Sequence, residues 1–311
     1  MQLNAKRYRV LAVLTCIGMF LVLIAGALVT NTDSGRGCGT DWPLCNGKFI
    51  PAYTVESLIE YSHRLISGGV GLLVLAAFIA TLKLYRNEKE PIAYSAGAGL
   101  FTVLQALLGA AAVVWPTTPA VLALHFGISI LAFMFTLLLV IWAYRVKHGT
   151  AERKPASAIP QTVFWFSLAI LVYSYFVIYL GAYIRHTQSS GGCVGWPLCN
   201  GEFVPDLHGA TLYVFLHRVA AAVLLILVGA LTLYVHRVCA DHPGMRKALT
   251  VTFALVCCQV LSGALLTVTL RDEDWFVFTS ILHNMIVSGL FGILSDFMIR
   301  ARKWRPERLR A

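Results

Sequence analysis

Gly37–Gly47 reads GCGTDWPLCNG, and Gly192–Gly201 reads GCVGWPLCNG. These two short, polar, cysteine-bracketed stretches sit in a chain that is otherwise largely apolar, and their likeness decides how the rest is organised. The likeness extends outward on both sides. Gly26-Ala27 precedes the first stretch and Gly181-Ala182 the second. Trp42, Pro43, Leu44 and Cys45 match Trp196, Pro197, Leu198 and Cys199 at an offset of 154 residues. The same offset carries Pro51 to Pro205, His63-Arg64 to His217-Arg218, Gln105 to Gln259, and Gly109-Ala110 to Gly263-Ala264.

Composition says what kind of chain is repeated. Of 311 residues, 58% are hydrophobic and 13% charged, too apolar for an ordinary water-soluble domain. A helix of ~20 apolar residues crosses a hydrocarbon core of ~30 Å. Eight stretches qualify, near 9–31, 57–83, 93–115, 118–144, 161–184, 208–235, 248–270 and 275–299. The first is too long for a cleaved signal peptide and no small-residue cleavage site follows it, so it reads as a retained helix. Equivalent positions are four helices apart, an even number, so both halves have the same orientation. The expected fold is therefore all-α and membrane-embedded: eight transmembrane helices in two pseudo-symmetric four-helix bundles, residues 1–150 and 151–311. A polar linker is expected near 145–160.

A net charge of +10 invites a nucleic-acid reading, but its distribution argues for topology instead. With the N-terminus cytoplasmic, 19 of the 25 Lys and Arg residues fall inside, including Lys6, Arg7, Arg9, Arg153, Lys154, Arg308 and Arg310. Arg36, Lys48, Arg64, Arg185, Arg218 and Arg271 remain outside. This is the positive-inside pattern. It places both termini in the cytoplasm and the cysteine stretches outside, with membrane lipid rather than nucleic acid as the surroundings.

Four of the nine histidines lie inside apolar stretches, one in each even-numbered span: His63, His125, His217 and His283. Each follows the outer end of its span by about six to nine residues, or ~9–14 Å of helix rise. One such histidine is readily explained as a polar residue bonded to a neighbouring helix. Four at matched depth point to function, because ionisable groups in lipid are costly. Two imidazoles facing each other across a bundle ligate a heme iron axially, which pairs His63 with His125 and His217 with His283. Zinc and copper sites draw three or four ligands and fit less well.

The halves differ at one telling place. Glu60 precedes His63 by three residues, on the same helix face, whereas Val214 stands in that position before His217. A carboxylate there is suited to proton transfer or to stabilising positive charge; the plainer reading is a pair with Arg64. Arg64 and Arg218 either reach heme propionates or snorkel to the interface, and Arg185 is a weaker candidate of the same kind.

Cys38 and Cys45 form one outer pair, Cys193 and Cys199 another. Their spacing suits small disulfide-closed loops on an oxidising face. They read either as structural staples or as redox-active pairs, and Cys38–Cys45, over the carboxylate-bearing half, is the stronger candidate for chemistry. Cys16, Cys239, Cys257 and Cys258 read as unpaired thiols.

The segment EYSHR (Glu60–Arg64), HFG (His125–Gly127), the HR at His217-Arg218, the eight spans and the paired cysteines together resemble the heme A synthase family, over essentially the whole chain. The resemblance implies oxidation of the C8 methyl of heme O to a formyl group, giving heme A for terminal oxidases in a bacterial plasma membrane. It implies a heme b held by His217 and His283, a substrate heme at His63 and His125, and Glu60 as catalytic carboxylate. Implied partners are heme O, a heme O synthase and an electron acceptor such as quinone; a homo-oligomer is compatible with the sequence. Two other readings compete. A diheme cytochrome b reacting with quinone gives Glu60 no necessary role, and a duplicated transporter needs no heme.

Overall fold

The structure is a computed structural model, and its described residues are 2–149 and 157–306. Part of the expected linker, residues 150–156 with Arg153 and Lys154, lies outside the described residues, as do Arg308 and Arg310. Among the described residues the long elements are all helices: α1 (Gln2–Asn31), α2 (Val55–Leu84), α3 (Lys89–Val114), α4 (Pro119–Lys147), α5 (Gln161–His186), α6 (Gly209–Val238), α7 (Pro243–Val268) and α8 (Glu273–Lys303). All eight are long and apolar enough to cross a membrane. The protein is a multi-pass membrane protein.

The helices outrun the apolar stretches, most visibly α1, which begins seven residues before position 9, and α8, which continues to Lys303. Hydropathy marks only the part that lies in hydrocarbon, while backbone hydrogen bonding continues until a cap or breaker intervenes. Thr54 caps α2, accepting from the Ser57 N–H at 3.3 Å, and Asp272 caps α8, accepting from the Trp275 N–H at 3.1 Å. Pro119 and Pro243 open α4 and α7, where a missing N–H costs nothing.

The chain divides into two compact units, Met1–Glu152 and Arg153–Ala311. In the first, α1 packs on α2, α2 on α3, α3 on α4 and α4 on α1, a closed ring in which α2 and α4 are diagonal. Its core joins Met19, Val22 and Leu23 to Val70, Val74, Ala98, Ala132 and Phe133. Close approach depends on small residues, as in other membrane bundles. A Cβ on Gly18 would stand 2.8 Å from Val70, and one on Gly97 2.7 Å from the Phe135 ring. At the end away from the cysteines, Tyr8 bonds Thr81 at 2.8 Å and packs edge-on to Tyr85 and Trp142.

The second unit closes the same way, through α5–α6, α6–α7, α7–α8 and α8–α5, which makes α6 and α8 diagonal. Ile170, Leu224, Val228, Leu231, Leu249, Val256, Leu294 and Phe297 form its core. There the end away from the cysteines is tied by the Ile159 N–H to the Trp304 carbonyl at 2.9 Å.

Candidate functional site

Each cysteine stretch is a small loop pressed onto the first turn of the helix that carries the first histidine of its unit. The sulfurs are bonded in both pairs, with Cα atoms 4.3 Å apart for Cys38–Cys45 and 4.7 Å for Cys193–Cys199. Cys16, Cys239, Cys257 and Cys258 are free thiols. Gly37 touches the α2 backbone so closely that a Cβ would lie 2.4 Å from the Glu56 carbonyl carbon; Gly192 stands in the same relation to Ala210 on α6. Only glycine permits this approach. Ser57 Oγ then donates to the Gly37 carbonyl, and Thr211 Oγ1 donates to the Gly192 carbonyl at 2.9 Å.

Arginine completes the docking. Arg64 donates from one terminal nitrogen to the carbonyls of Asp41 at 2.8 Å and Leu44 at 2.7 Å. Arg218 donates to Leu198 and Cys193 carbonyls, each at 3.0 Å, and to Thr267 Oγ1 at 3.3 Å. Beside the two sequence readings, propionate anchor or interface residue, these guanidiniums act as loop clamps, bonded to carbonyls of the cysteine loops. Arg185 stands elsewhere, with its guanidinium over the Phe276 ring at 5.8 Å.

Here the two units part. Glu60 is 3% exposed. One carboxylate oxygen accepts the Cys38 N–H at 2.8 Å and the other pairs with Arg64. The expected pair with Arg64 is thus real, but it is half of the arrangement. The backbone of a disulfide cysteine holds the other oxygen. In the second unit the place is taken by Val214, which is buried, and Arg218 turns to Cys193 instead. A buried carboxylate tied by charge-assisted bonds is fixed in place, one helical turn from His63.

The histidines sit on α2, α4, α6 and α8, so each unit supplies one from each of two diagonal helices. Counted from the observed helix starts they lie 8, 6, 8 and 10 residues in, a slightly wider spread than the sequence reading. The features that sequence reasoning passed over are the glycines behind them. A Cβ on Gly26 would lie 3.3 Å from His63 Cε1, on Gly109 3.4 Å from His125 Cε1, on Gly181 2.9 Å from His217 Cε1, and on Gly263 3.3 Å from His283 Cε1. Every one of the four rings rests its Cε1 edge on a glycine of the preceding helix. The signal was present, since Gly26, Gly109, Gly181 and Gly263 all lie in Gly-Ala pairs within the repeat, but a glycine's neighbour across a bundle is not written in sequence. Gln105 and Gln259 were likewise seen only as repeat markers. Gln105 donates to Ser129 Oγ, and Gln259 meets His283.

The profile of the cytochrome oxidase assembly protein family matches residues 9–294. The chain belongs to that family. It is 37% identical to the heme A synthase of Symbiobacterium thermophilum over 93% of this chain and 94% of that one. Similarity to the heme A synthase of Bacillus licheniformis is 36% over 97% and 98%, and to that of Halalkalibacterium halodurans 38% over 93% and 95%.

The residues present fit a heme in each unit of this family member. Imidazoles from diagonal helices would hold a heme iron between them, and a glycine behind each ring leaves room for it without side-chain bulk. Buried polar atoms with no hydrogen-bond partner among the described residues include His63 Nδ1 and Gln105 Oε1 in the first unit and Gln259 Oε1 in the second. Such groups are costly unless something satisfies them. Among the described residues no three His, Cys, Asp or Glu side chains come together as a metal site.

A prediction arises directly from the loop. Converting both Cys38 and Cys45 to Ser opens the loop that holds Glu60 through the Cys38 N–H. Conversion of substrate is expected to fall about 10- to 100-fold, the scale of a misplaced catalytic group, with heme content of the purified protein unchanged. The double change at Cys193 and Cys199 removes no contact to a carboxylate and is expected to lower thermal stability while leaving turnover within about twofold. Chromatography of extracted hemes and a melting curve check both. Equal losses of turnover from the two double variants would refute the distinction.

Proposed function

We propose that the chain oxidises the C8 methyl group of heme O to a formyl group, producing heme A. The first unit holds the substrate between His63 and His125, and the second holds a resident heme b between His217 and His283. The observation that carries this reading is the asymmetry at Glu60. Two bundles with the same loop, clamp and histidine cradle differ in that only one has a buried carboxylate beside its first histidine.

The chain's own groups divide the work. His63 and His125 orient the porphyrin, and their backing glycines keep the rings from turning. Glu60, held by the Cys38 N–H and Arg64, accepts protons leaving the methyl group and stabilises positive charge that develops there. The loop closed by Cys38–Cys45 keeps the carboxylate at 3% exposure, limiting the entry of bulk water. Heme b, when bound, supplies one-electron redox chemistry. Of the five N–H groups of a guanidinium, Arg64 and Arg218 each commit three to protein acceptors. The remainder, and Arg185, are the groups at this end of each unit for propionates.

The positive-inside distribution and the disulfides support cysteine loops on the outer face of a bacterial plasma membrane with both termini inside. Heme O then comes from a heme O synthase; water supplies the formyl oxygen, and the electrons released pass to an acceptor for which quinone is the membrane's own candidate. The test is co-expression with a heme O synthase, followed by chromatography of extracted hemes. Heme A or hydroxylated heme O is expected to appear; persistence of heme O alone would sink the proposal. A diheme cytochrome b would likewise leave heme O untouched.

A further inference from the structure

The second unit contains a hydrogen-bond chain around His283 in which donor counting favours one set of proton positions. Ser262 Oγ donates to the Gln259 carbonyl at 2.9 Å. A hydroxyl has a single proton; with that proton on the carbonyl, the contact with His283 Nδ1 at 2.8 Å runs the other way, with Nδ1–H donating to Oγ. The neutral ring then has its lone pair on Nε2. Gln259 Nε2 lies 2.9 Å from that nitrogen and can only donate to it, which leaves Gln259 Oε1 without a partner, as is observed among the described residues. Each bond agrees with the next, and the amide is oriented so that its donor, not its oxygen, faces the lone pair on Nε2. Ser262 is 5% exposed, so water does not compete for the hydroxyl.

We infer that Ser262 is a positioning residue that locks His283 in the tautomer with Nε2 free for iron, and so sets the basicity of one axial ligand of the heme in this unit. The inference rests on the reading of the second unit as a heme b site. The Gln259 amide lies on the nitrogen that iron would take, whereas the Ser262 contact to Nδ1 leaves that nitrogen open. An acceptor on Nδ1–H makes the imidazole a stronger donor to iron, which favours the ferric state and lowers the reduction potential. The position matching Ser262 at the 154-residue offset is Leu108, which has no hydroxyl to offer. The lock is thus a property of the unit read as holding its heme permanently, and α3 does not supply it where substrate must come and go.

The test uses the full chain with His63→Ala and His125→Ala, so that heme remains only in the second unit. In that background Ser262→Ala is expected to keep heme at wild-type stoichiometry, raise the midpoint potential and shift the low-spin ferric EPR signal. Ser262→Thr is expected to restore both, and Ser262→Cys, a weaker acceptor, to fall between. Gln259→Leu is expected to leave the potential unchanged, because its amide meets the ring at Nε2, the nitrogen iron would take, and not at Nδ1. Unchanged potential and EPR signal in both the Ala and the Cys variants would overturn the lock while leaving the heme site standing. Should the Ala variant not fold, the Thr and Cys variants still decide: a potential in Cys equal to that in Thr overturns the lock. A background protein that binds no heme at all would overturn the site reading and the lock together.

Discussion

Glu60→Gln is expected to reduce conversion of heme O to heme A by about 100- to 10,000-fold, the range for losing a positioned acid–base group. Heme bound by the purified protein should stay at the wild-type level. The substitution keeps size and keeps the acceptor for the Cys38 N–H, so the loop stays docked, while the charge facing Arg64 is gone. Glu60→Asp separates two roles. Shortened by one methylene, the carboxylate cannot hold both the Cys38 N–H and Arg64, so a fall of at least about tenfold is expected with charge retained. Extracted hemes, quantified by chromatography against heme b, give both numbers. Heme A production in Glu60→Gln equal to the parent would remove the catalytic assignment and revive the diheme cytochrome reading, in which the carboxylate has no necessary part.

Gly181→Ala is expected to empty the second unit of heme while leaving the fold intact. The added Cβ would stand 2.9 Å from His217 Cε1, closer than such contacts occur, and the ring can relieve it only by turning away from its ligating orientation. Overpacking of this kind costs about 1–3 kcal/mol, or roughly 5- to 150-fold in heme retention. The neighbouring cases grade the effect: Gly26 and Gly263, at 3.3 Å, and Gly109, at 3.4 Å, leave room for a small shift, and their Ala variants should hold most of their heme. Heme-to-protein ratios after purification, with helicity from circular dichroism as the folding control, report the series. Uniform retention across all four Ala variants would show that the glycines serve helix packing alone.

The apolar stretches of the sequence determined the helix count, because a segment without water must satisfy its own backbone, and in lipid only a helix or a closed barrel does so. The 154-residue echo of GCGTDWPLCNG marked where equivalent side chains stand, and the contrast of Glu60 with Val214 was legible as soon as the echo was aligned. His63, His125, His217 and His283 announced themselves by being ionisable in apolar surroundings. What sequence could not show is which backbone groups meet them. Arg64 and Arg218 read as propionate anchors or interface residues, and the structure adds loop carbonyls from Asp41, Leu44, Cys193 and Leu198 as partners. A carbonyl left over by a turn exists at every residue, and only the folded loop selects one.

The same limit explains the glycine behind each histidine and the Ser262–His283–Gln259 chain. Ser262 lies 21 residues from His283 and carries no signal of its own, since serine in a membrane helix is common as a packing residue. Sequence by itself determined eight helices long and apolar enough to cross a membrane, and it marked four histidines within them and one carboxylate without a counterpart in the second half. Periodicity, polarity and repetition are properties of the chain taken one residue at a time. Tertiary structure alone decided that the Cys38 N–H holds Glu60 and that Ser262 orients a ring, because hydrogen bonds act over about 3 Å and depend on where distant segments come to rest.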